Sequence, residues 1–177
     1  MLKSTSFIAI LALFIFSCDN SETSAQTNTS AGSDDGLKVA WVPLHTALEN
    51  AKTDQKKILI DVYTEWCAYC RRMNTETYAD ATVMETINDY FYPVRLNAES
   101  KNFIDFDGQA VTEQELALAF GVRGYPTTVI LDFDGSAVGK QPGFMDATDF
   151  NNLLSYVGSN AYKDTPFDDF LKMNEDK

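Results

Sequence analysis

The feature that most constrains this chain is a pair of cysteines that follows an apolar run. Cys67 and Cys70 are separated by two residues, and Ile58–Tyr63 before them is apolar except for Asp61. A continuous apolar run of this length predicts a central strand buried on both faces. The cysteine pair is then expected to open a helix directly after the strand. A C-x-x-C pair in such a strand–helix context indicates thiol–disulfide chemistry.

Two other interpretations of the cysteine pair are a structural disulfide and half of a zinc site. Zinc usually takes four ligands, but the chain has no second cysteine pair and its only histidine is His45. A Cys2His2 site is therefore excluded, and we expect neither a metal nor a cofactor. The redox interpretation is favoured, and the structural disulfide remains the alternative.

The first residues have the pattern of an export signal. Lys3 precedes the ten apolar residues Phe7–Phe16, which are too few to cross a membrane core that needs ~20 in a helix. The following Ser17-Cys18 resembles the cleavage and lipidation site of bacterial lipoproteins. We therefore predict a lipoprotein-type signal peptide at 1–17 with lipid on Cys18. The alternative is an ordinary secretory signal that is cut after Ala25.

Residues 18–36 are polar and predict a flexible, lipid-anchored tether. Of the three cysteines, lipidation would consume Cys18 and leave Cys67 and Cys70 as a pair without an odd thiol. The formal net charge of −12 argues against nucleic acid as a partner. It also argues against purely electrostatic attachment to an anionic lipid surface.

Hydrophobic periodicity predicts an alternation of strands and helices in the order β-α-β-α-α-β-α-β-β-α. The predicted strands lie at 38–42, 58–63, 92–97 and 127–133, the last followed by a hairpin turn at Asp134-Gly135. The predicted helices lie around 44–51, from 67, around 83–91, from 113 and around 150–157. This order predicts a mixed central sheet covered by helices.

Local signals mark where three of these helices begin. Asp80 and Asp146 are typical N-caps, and Thr112–Glu115 has the pattern of a capping box. The helix that begins at this capping box is expected to bury Leu116, Ala119 and Phe120. Residues 98–111 look like an insertion with a turn at Asp107-Gly108.

These patterns predict the boundaries of one folded domain. We place that domain at 37–157 and a C-terminal tail at 158–177. In the tail, Phe167, Phe170 and Leu171 follow Thr165-Pro166, which predicts a short docked helix.

Three separated segments together resemble one known family. Asp61–Cys70, Gly124–Thr127 and Gly143–Ala147 resemble the thioredoxin family, and most of all the C-terminal periplasmic domain of transmembrane thiol:disulfide interchange reductases. The likeness spans roughly 56–157 and implies an α/β thioredoxin fold, with a mixed central β-sheet flanked by helices. The chain departs from that family in lacking the membrane-spanning domain, which implies a separate membrane electron donor. It also has Asn74 where the family has an acid.

The helix start and the resemblance together imply roles for three side chains. Cys67, at the N-terminal end of a helix, is expected to be the exposed attacking thiolate, and Cys70 to resolve the mixed disulfide. Asp61 matches the buried acid of thioredoxins, and burial should raise its pKa so that it can accept the Cys70 proton. The alternative is an aspartate at a strand end that points to solvent.

Four further residues are predicted to bind the partner. The resemblance implies that Pro126 is cis and faces the cysteines, while the backbone of Tyr125 pairs with an extended substrate. Trp66 and Tyr69 are expected to form an apolar rim around the pair. Ordinary packing is the alternative for both aromatic residues.

The function predicted from these residues is extracytoplasmic thiol–disulfide exchange. We expect a reductase or electron relay for protein disulfides on the periplasmic side of the bacterial cell envelope, anchored to the inner or outer membrane. Ala68-Tyr69 between the cysteines matches neither the Gly-Pro of thioredoxin nor the Pro-His of the strong oxidants, so the direction stays open. The alternatives are a disulfide oxidase or isomerase and a lipid-anchored adaptor. Peroxide reduction is disfavoured because no lone peroxidatic cysteine is evident.

Overall fold

The computed structural model describes residues 38–175, so the predicted signal peptide, tether and Cys18 lie outside the described residues. The helices are α1 Leu44–Asp54, α2 Ala68–Arg72, α3 Ala81–Tyr90, α4 Glu113–Ala119, α5 Ala147–Gly158 and α6 Phe167–Glu175. The strands are β1 Lys57–Tyr63, β2 Phe91–Asn97, β3 Phe103–Phe106, β4 Gln109–Thr112, β5 Thr127–Leu131 and β6 Ala137–Pro142. A π-helical turn, Met73–Thr77, follows α2, and a 3₁₀ turn, Ala161–Lys163, follows α5.

Four of the strands form a mixed sheet in the order β2-β1-β5-β6. Strand β1 pairs parallel with β2 and antiparallel with β5, and β5 pairs antiparallel with β6. The central position of β1 explains its near-continuous apolar sequence, because both of its faces are covered. The predicted mixed sheet flanked by helices is confirmed.

Alternate residues of β1 enter two different cores. Ile58, Ile60 and Val62 pack with α1 and α4, whereas Leu59 packs with α3 and α5 on the opposite face. All four side chains are fully buried, and each contributes roughly 1.5–3 kcal/mol by leaving water. Because side chains alternate along a strand, Asp61 points to the same face as Leu59.

The predicted helix starts are confirmed. The Asp80 carboxylate accepts backbone N–H bonds at the start of α3, and Asp146 does the same for α5. Thr112 and Glu115 form the reciprocal capping box of α4, at 3.1 and 2.8 Å. These caps satisfy N–H groups that a helix cannot satisfy internally.

The predicted buried face of α4 is partly wrong. Leu116 is buried together with Ala117, but Ala119 is exposed and Phe120 is only half-buried. The helix ends at Ala119, and the chain then turns through Gly121 with a φ of 67°. Phe120 is therefore the C-cap of the helix, whereas Ala119 is still helical and lies outside the face that Leu116 and Ala117 bury.

The predicted strand at 38–42 is also wrong, because residues 38–43 have no regular secondary structure. One backbone bond joins this segment to the sheet, from Val42 N–H to the Pro93 carbonyl, at 2.9 Å. Pro93 presents its carbonyl to this edge of β2 but has no N–H to donate, so a regular ladder cannot continue there.

The insertion at 98–111 contains a β-hairpin, of which the sequence analysis predicted only the turn. Strands β3 and β4 pair antiparallel across Asp107-Gly108, where φ is 55° and 73°. Two consecutive positive φ values are those of a type I′ turn, which Asp-Gly favours. The hairpin predicted at Asp134-Gly135 joins β5 to β6 as expected.

The C-terminal tail forms α6, which packs against α5. The Tyr156 ring contacts Phe167 and Phe170 at centroid distances of 5.0 and 5.2 Å. Its hydroxyl donates a 2.6 Å hydrogen bond to the Thr165 carbonyl. Within residues 38–175, no helix has the length and apolar character needed to cross a bilayer.

Candidate functional site

Cys67 and Cys70 form a disulfide at the point where β1 gives way to α2, with their Cα atoms 5.3 Å apart. Cys67 is the N-cap of α2, and its Sγ accepts a hydrogen bond from the Cys70 backbone N–H at 3.0 Å. Its own N–H donates to the Thr64 carbonyl, which fixes the turn. A sulfur that receives a helix N–H donor is set up to carry negative charge once the bond is reduced.

Both sulfurs are covered in the disulfide state. Cys67 is 4% exposed and Cys70 is 3% exposed, so the expected exposure of the attacking cysteine is not found in this state. In this state the two sulfurs are bonded to each other. The helix α2 that carries Cys70 is continuous with the π-helical turn, and Met73 of that turn is buried in the core with α3 and α5.

Two exposed aromatic side chains are sequence neighbours of the cysteines. Trp66 is 65% exposed and Tyr69 is 61% exposed. Trp66 meets the edge of Tyr125 at 6.0 Å between ring centroids, and Tyr69 lies 6.3 Å from Phe144. Trp66 Nε1 also donates to Glu99 at 3.0 Å. Exposed Trp and Tyr side chains, which combine an apolar ring with a polar group, are typical of protein-binding surfaces.

The bond between Tyr125 and Pro126 is cis, as the family resemblance implied. Pro126 is buried, and its carbonyl accepts the Gly143 N–H at 2.8 Å. Strand β5 begins only at Thr127, so Tyr125 lies just outside the sheet and against Trp66. The residue that precedes the cis bond is thus in ring contact with Trp66, the sequence neighbour of Cys67.

Asp61 is buried in β1 with 2% exposure, which excludes the alternative of a solvent-facing strand-end aspartate. Its Oδ2 accepts a hydrogen bond from Arg95 Nε at 3.2 Å, while Oδ1 has no partner among the described residues. Burial raises the pKa of Asp61 from 3.8 to about 6, and the nearby Arg95 charge limits that rise. A carboxyl with this pKa can exchange a proton near neutral pH.

Sequence reasoning missed Arg95 as the partner of this acid. Asp61 and Arg95 are register partners on the parallel strands β1 and β2. The guanidinium also lies 4.1 Å from the Tyr63 ring centroid and 5.5 Å from that of Trp41. The available signal was that Arg95 is the one charged residue in the run Phe91–Asn97.

Tyr78 was also missed, although it lies in the same buried region. It follows the π-helical turn and donates its N–H to the Met73 carbonyl at 2.9 Å. Its ring packs edge-on against Trp41 and Phe150, at 5.0 and 5.4 Å. Burial, with the Asp61 charge as a second cause, raises the pKa of Tyr78 well above 10. The phenol therefore keeps its proton at ordinary pH.

A cavity of about 530 Å³ borders this region, lined by Lys38, Val39, Trp41, Asn74, Thr75, Tyr78, Ala79 and Arg95. Asn74, which stands where the family has an acid, thus lines the same cavity as Arg95, the partner of Asp61. Within residues 38–175, no group of three His, Cys, Asp or Glu side chains is placed to hold a metal ion.

A disulfide at a helix start, a buried acid in the preceding strand and a cis-proline before β5 are the combination found in thioredoxin-fold domains. The chain belongs to the thioredoxin-like domain family, whose model matches residues 44–158. The resemblance drawn from the sequence is therefore confirmed.

Individual relatives agree with this family. The chain is 28% identical over 108 residues to the thiol:disulfide interchange protein DsbD of Photorhabdus laumondii, covering 60% of this chain and 17% of that protein. It is 31% identical over 115 residues to DsbD of Citrobacter koseri, covering 63% and 18%. The chain thus spans less than a fifth of the length of these curated relatives.

A solved structure extends the comparison to the fold. A thioredoxin-fold protein from Helicobacter pylori superposes with a TM-score of 0.58 at 25% identity, covering 68% of this chain and 80% of that one. The thioredoxin fold predicted from the sequence is confirmed.

Proposed function

We propose that this protein is a thiol–disulfide oxidoreductase that acts on protein disulfides through Cys67 and Cys70. The observation that carries the proposal is the hydrogen bond from the Cys70 N–H to the Cys67 sulfur at the start of α2. In the reduced protein this donor would stabilise a Cys67 thiolate, which is the reactive form in disulfide exchange.

The exchange proceeds in two balanced steps. The Cys67 thiolate attacks one sulfur of the partner disulfide, forming a mixed disulfide and releasing the other partner sulfur as a thiolate. Cys70 then passes its proton to Asp61 and attacks the Cys67 sulfur. This second step forms the Cys67–Cys70 disulfide and releases the second partner thiolate, so two electrons have moved to the partner. The buried position and raised pKa of Asp61 support its role as the proton acceptor.

The partner would dock on the aromatic surface around the disulfide. Trp66 and Tyr69, the residues that precede Cys67 and Cys70 in the sequence, supply exposed apolar area. Tyr125, which precedes β5 and Pro126, offers backbone groups that an extended partner segment can pair with. Such pairing would hold the partner disulfide over Cys67 while tolerating different side chains.

The proposed direction and location rest on the relatives and on the N-terminal sequence. The sequence resemblance to the C-terminal periplasmic domain of transmembrane reductases supports a reductase or electron relay at the periplasmic side of the bacterial envelope, and the relatives' name, thiol:disulfide interchange protein, agrees with that chemistry. A separate membrane protein would then supply the electrons. Lipid on Cys18 would anchor the chain to the inner or outer membrane, and residues 18–36 would let the domain reach its partners.

Turnover and reduction potential together test the activity. The dithiothreitol-reduced protein should accelerate the reduction of insulin disulfides, and Cys67→Ser should abolish that acceleration. Cys18→Ser is the matched control, because it removes a cysteine outside the pair and should keep full turnover. An inactive wild type, or an active Cys67→Ser variant, would contradict the proposal. A redox titration of the pair then separates a reductase from an oxidase, since a strongly oxidising potential excludes the reductase.

The anchor needs its own experiment. Mass spectrometry of the mature N-terminus should find a lipid-modified Cys18 as the first residue. An unmodified start beyond Cys18, such as after Ala25, would overturn the lipoprotein proposal without affecting the redox proposal.

A further inference from the structure

The 530 Å³ cavity beside Arg95 has a cationic wall. Lys38 and Arg95 both line it, and none of the described residues in its lining is acidic. Acidic residues outnumber basic ones 26 to 14 in this chain, so composition alone would favour the opposite charge. The volume is in the range of small-molecule sites, which span roughly 300–1,000 Å³. The cavity is therefore suited in size and charge to a small anion.

The rest of the lining is uncharged and largely apolar. It consists of Val39, Trp41, Asn74, Thr75, Tyr78 and Ala79. The rings of Trp41 and Tyr78 pack edge-on, with their centroids 5.0 Å apart, which orders this part of the wall. An apolar wall beside cations fits an anion that carries an apolar body better than it fits a fully hydrated inorganic ion.

Arg95 is held in place and still has unused hydrogen-bond donors. Its Nε donates to Asp61 Oδ2 at 3.2 Å, and its Cζ lies 4.1 Å from the Tyr63 ring centroid and 5.5 Å from that of Trp41. Neither Nη nitrogen donates to another residue in the described range 38–175. Since a guanidinium has five N–H donors in a fixed plane, it can bind a second carboxylate while it keeps its bond to Asp61.

The ligand can reach this guanidinium without displacing the buried acid. The Arg95 side chain is 31% exposed and lines the cavity, whereas Asp61 is 2% exposed and does not line it. Lys38 adds a second positive charge from the segment before α1, and the uncharged Asn74 adds an amide from the π-helical turn. Three separate segments of the chain thus contribute groups that attract an anion.

We propose that this cavity binds a small organic carboxylate, whose anionic group is held by Arg95 and Lys38 and whose apolar body packs on Trp41. The bound carboxylate shares the Arg95 guanidinium with Asp61. Because one cation then serves two anions, binding disfavours the ionised form of Asp61, and protonation of Asp61 in turn favours binding. This site goes beyond thiol–disulfide exchange and does not require turnover of the cysteine pair.

The groups that face this cation and this acid come from several elements. Those that contact Arg95 or share the 530 Å³ cavity with it are Asp61, Tyr63, Lys38 and Tyr78. A separate cavity of about 380 Å³, which Arg95 also borders, is lined in part by His45, Asp105 and Glu113. Asp61 is itself faced by Arg95 and Tyr78, and the cysteines do not titrate in the disulfide form. Replacing Asp61 alone therefore isolates its contribution to binding.

The test is a titration of the oxidised full chain with sodium benzoate, followed by NMR of the two tryptophan indole N–H groups. The Trp41 resonance should shift, whereas that of Trp66, which does not line the cavity, should not. Benzamide, the uncharged counterpart, and inorganic phosphate, an anion without an apolar body, should each bind at least about tenfold more weakly. An unshifted Trp41 resonance, or equal binding of either control compound, would overturn the proposal.

Variants then test the cation that holds the carboxylate. Arg95→Gln should weaken benzoate binding at least about tenfold, because it removes a charged hydrogen-bond donor. Arg123→Gln is the matched control, since Arg123 is exposed and does not line the cavity, and it should leave the affinity unchanged. Unchanged affinity in Arg95→Gln would contradict the site. The two indole resonances of the wild type keep the proposal falsifiable if Arg95→Gln does not fold.

The shared guanidinium gives the binding a pH dependence. The affinity for benzoate should be several-fold higher at about pH 5.5 than at about pH 8, although the ligand is an ionised carboxylate at both. Asp61→Asn should remove this difference, because the acid that competes for Arg95 is gone. A difference that persists in Asp61→Asn would overturn the sharing of Arg95. All of these measurements use the disulfide form without a partner, so their outcome is independent of whether the protein turns over insulin.

Discussion

Asp61 and Arg95 face each other across the parallel strands β1 and β2, with the guanidinium Nε 3.2 Å from the carboxylate Oδ2. Asp61 is 2% exposed, whereas the Arg95 side chain is 31% exposed. The cation can therefore keep part of its hydration while the anion cannot. This asymmetry explains why burial outweighs the ion pair and the pKa of Asp61 is raised.

The first prediction concerns stability in Asp61→Asn. The pKa of Asp61 is about 6 in the folded protein, whereas an aspartate ordinarily has a pKa of 3.8. The ionised carboxylate therefore destabilises the folded state relative to the unfolded state. Removing the charge should therefore increase the free energy of unfolding at pH 8 by up to about 3 kcal/mol. The gain should shrink as the pH falls below 6 and vanish well below 3.8, where the aspartate is neutral in both the folded and the unfolded protein.

Urea denaturation of the oxidised protein at about pH 8 and about pH 3 measures this difference. Asp89→Asn, at an exposed position of α3, is the matched control and should change little at either pH. An Asp61→Asn variant that is less stable than the wild type at pH 8 would show that the carboxylate is not strained by burial.

The second prediction concerns Arg95→Gln. Loss of the guanidinium removes the charge that limits the rise in the Asp61 pKa, so that pKa should move above 6. The pH profile of insulin reduction should shift to higher pH in the same variant, because Asp61 would accept a proton at higher pH. In an Asp61→Asn background, Arg95→Gln should have no further effect on the profile. Equal shifts in both backgrounds would mean that Arg95 does not act through Asp61.

The third prediction separates docking from packing at the aromatic surface. Trp66→Ala should raise the apparent KM for a protein disulfide several-fold, because the exposed indole lies beside Cys67. Its free energy of unfolding should change by less than about 1 kcal/mol, since the ring is mostly in solvent. Phe103→Ala is the matched control, a 74% exposed aromatic on β3 that should leave the KM unchanged. If Trp66→Ala has the same KM as the wild type, Trp66 does not bind the partner and its role is ordinary packing.

Local sequence signals were sufficient for much of the fold. The apolar run of β1 and the caps at Asp80, Thr112 and Asp146 depend on neighbouring residues, so they could be identified without tertiary information. The strand at 38–42 was wrong because its pairing depends on Pro93, which is some 50 positions away in the chain.

The candidate site shows the same division. Cys67, Cys70, Asp61 and Pro126 belong to motifs that can be read within a few residues or by family resemblance. Arg95 could be recognised as the acid's partner only once the register of β1 and β2 was known. The position of Tyr78 depends on the π-helical turn Met73–Thr77. Because a π-helical turn changes the number of residues per turn, hydrophobic periodicity in the sequence could not place Tyr78 in the core.

The most direct test of the account is a trapping experiment with Cys70→Ser. The reduced variant should form a stable mixed disulfide between Cys67 and insulin, because the resolving thiol is missing. The adduct should be released by dithiothreitol, and a Cys67→Ser variant should form none through Cys70. A Cys70→Ser protein that forms no adduct, or a Cys67→Ser protein that traps insulin equally well, would contradict the assignment of Cys67 as the attacking thiolate.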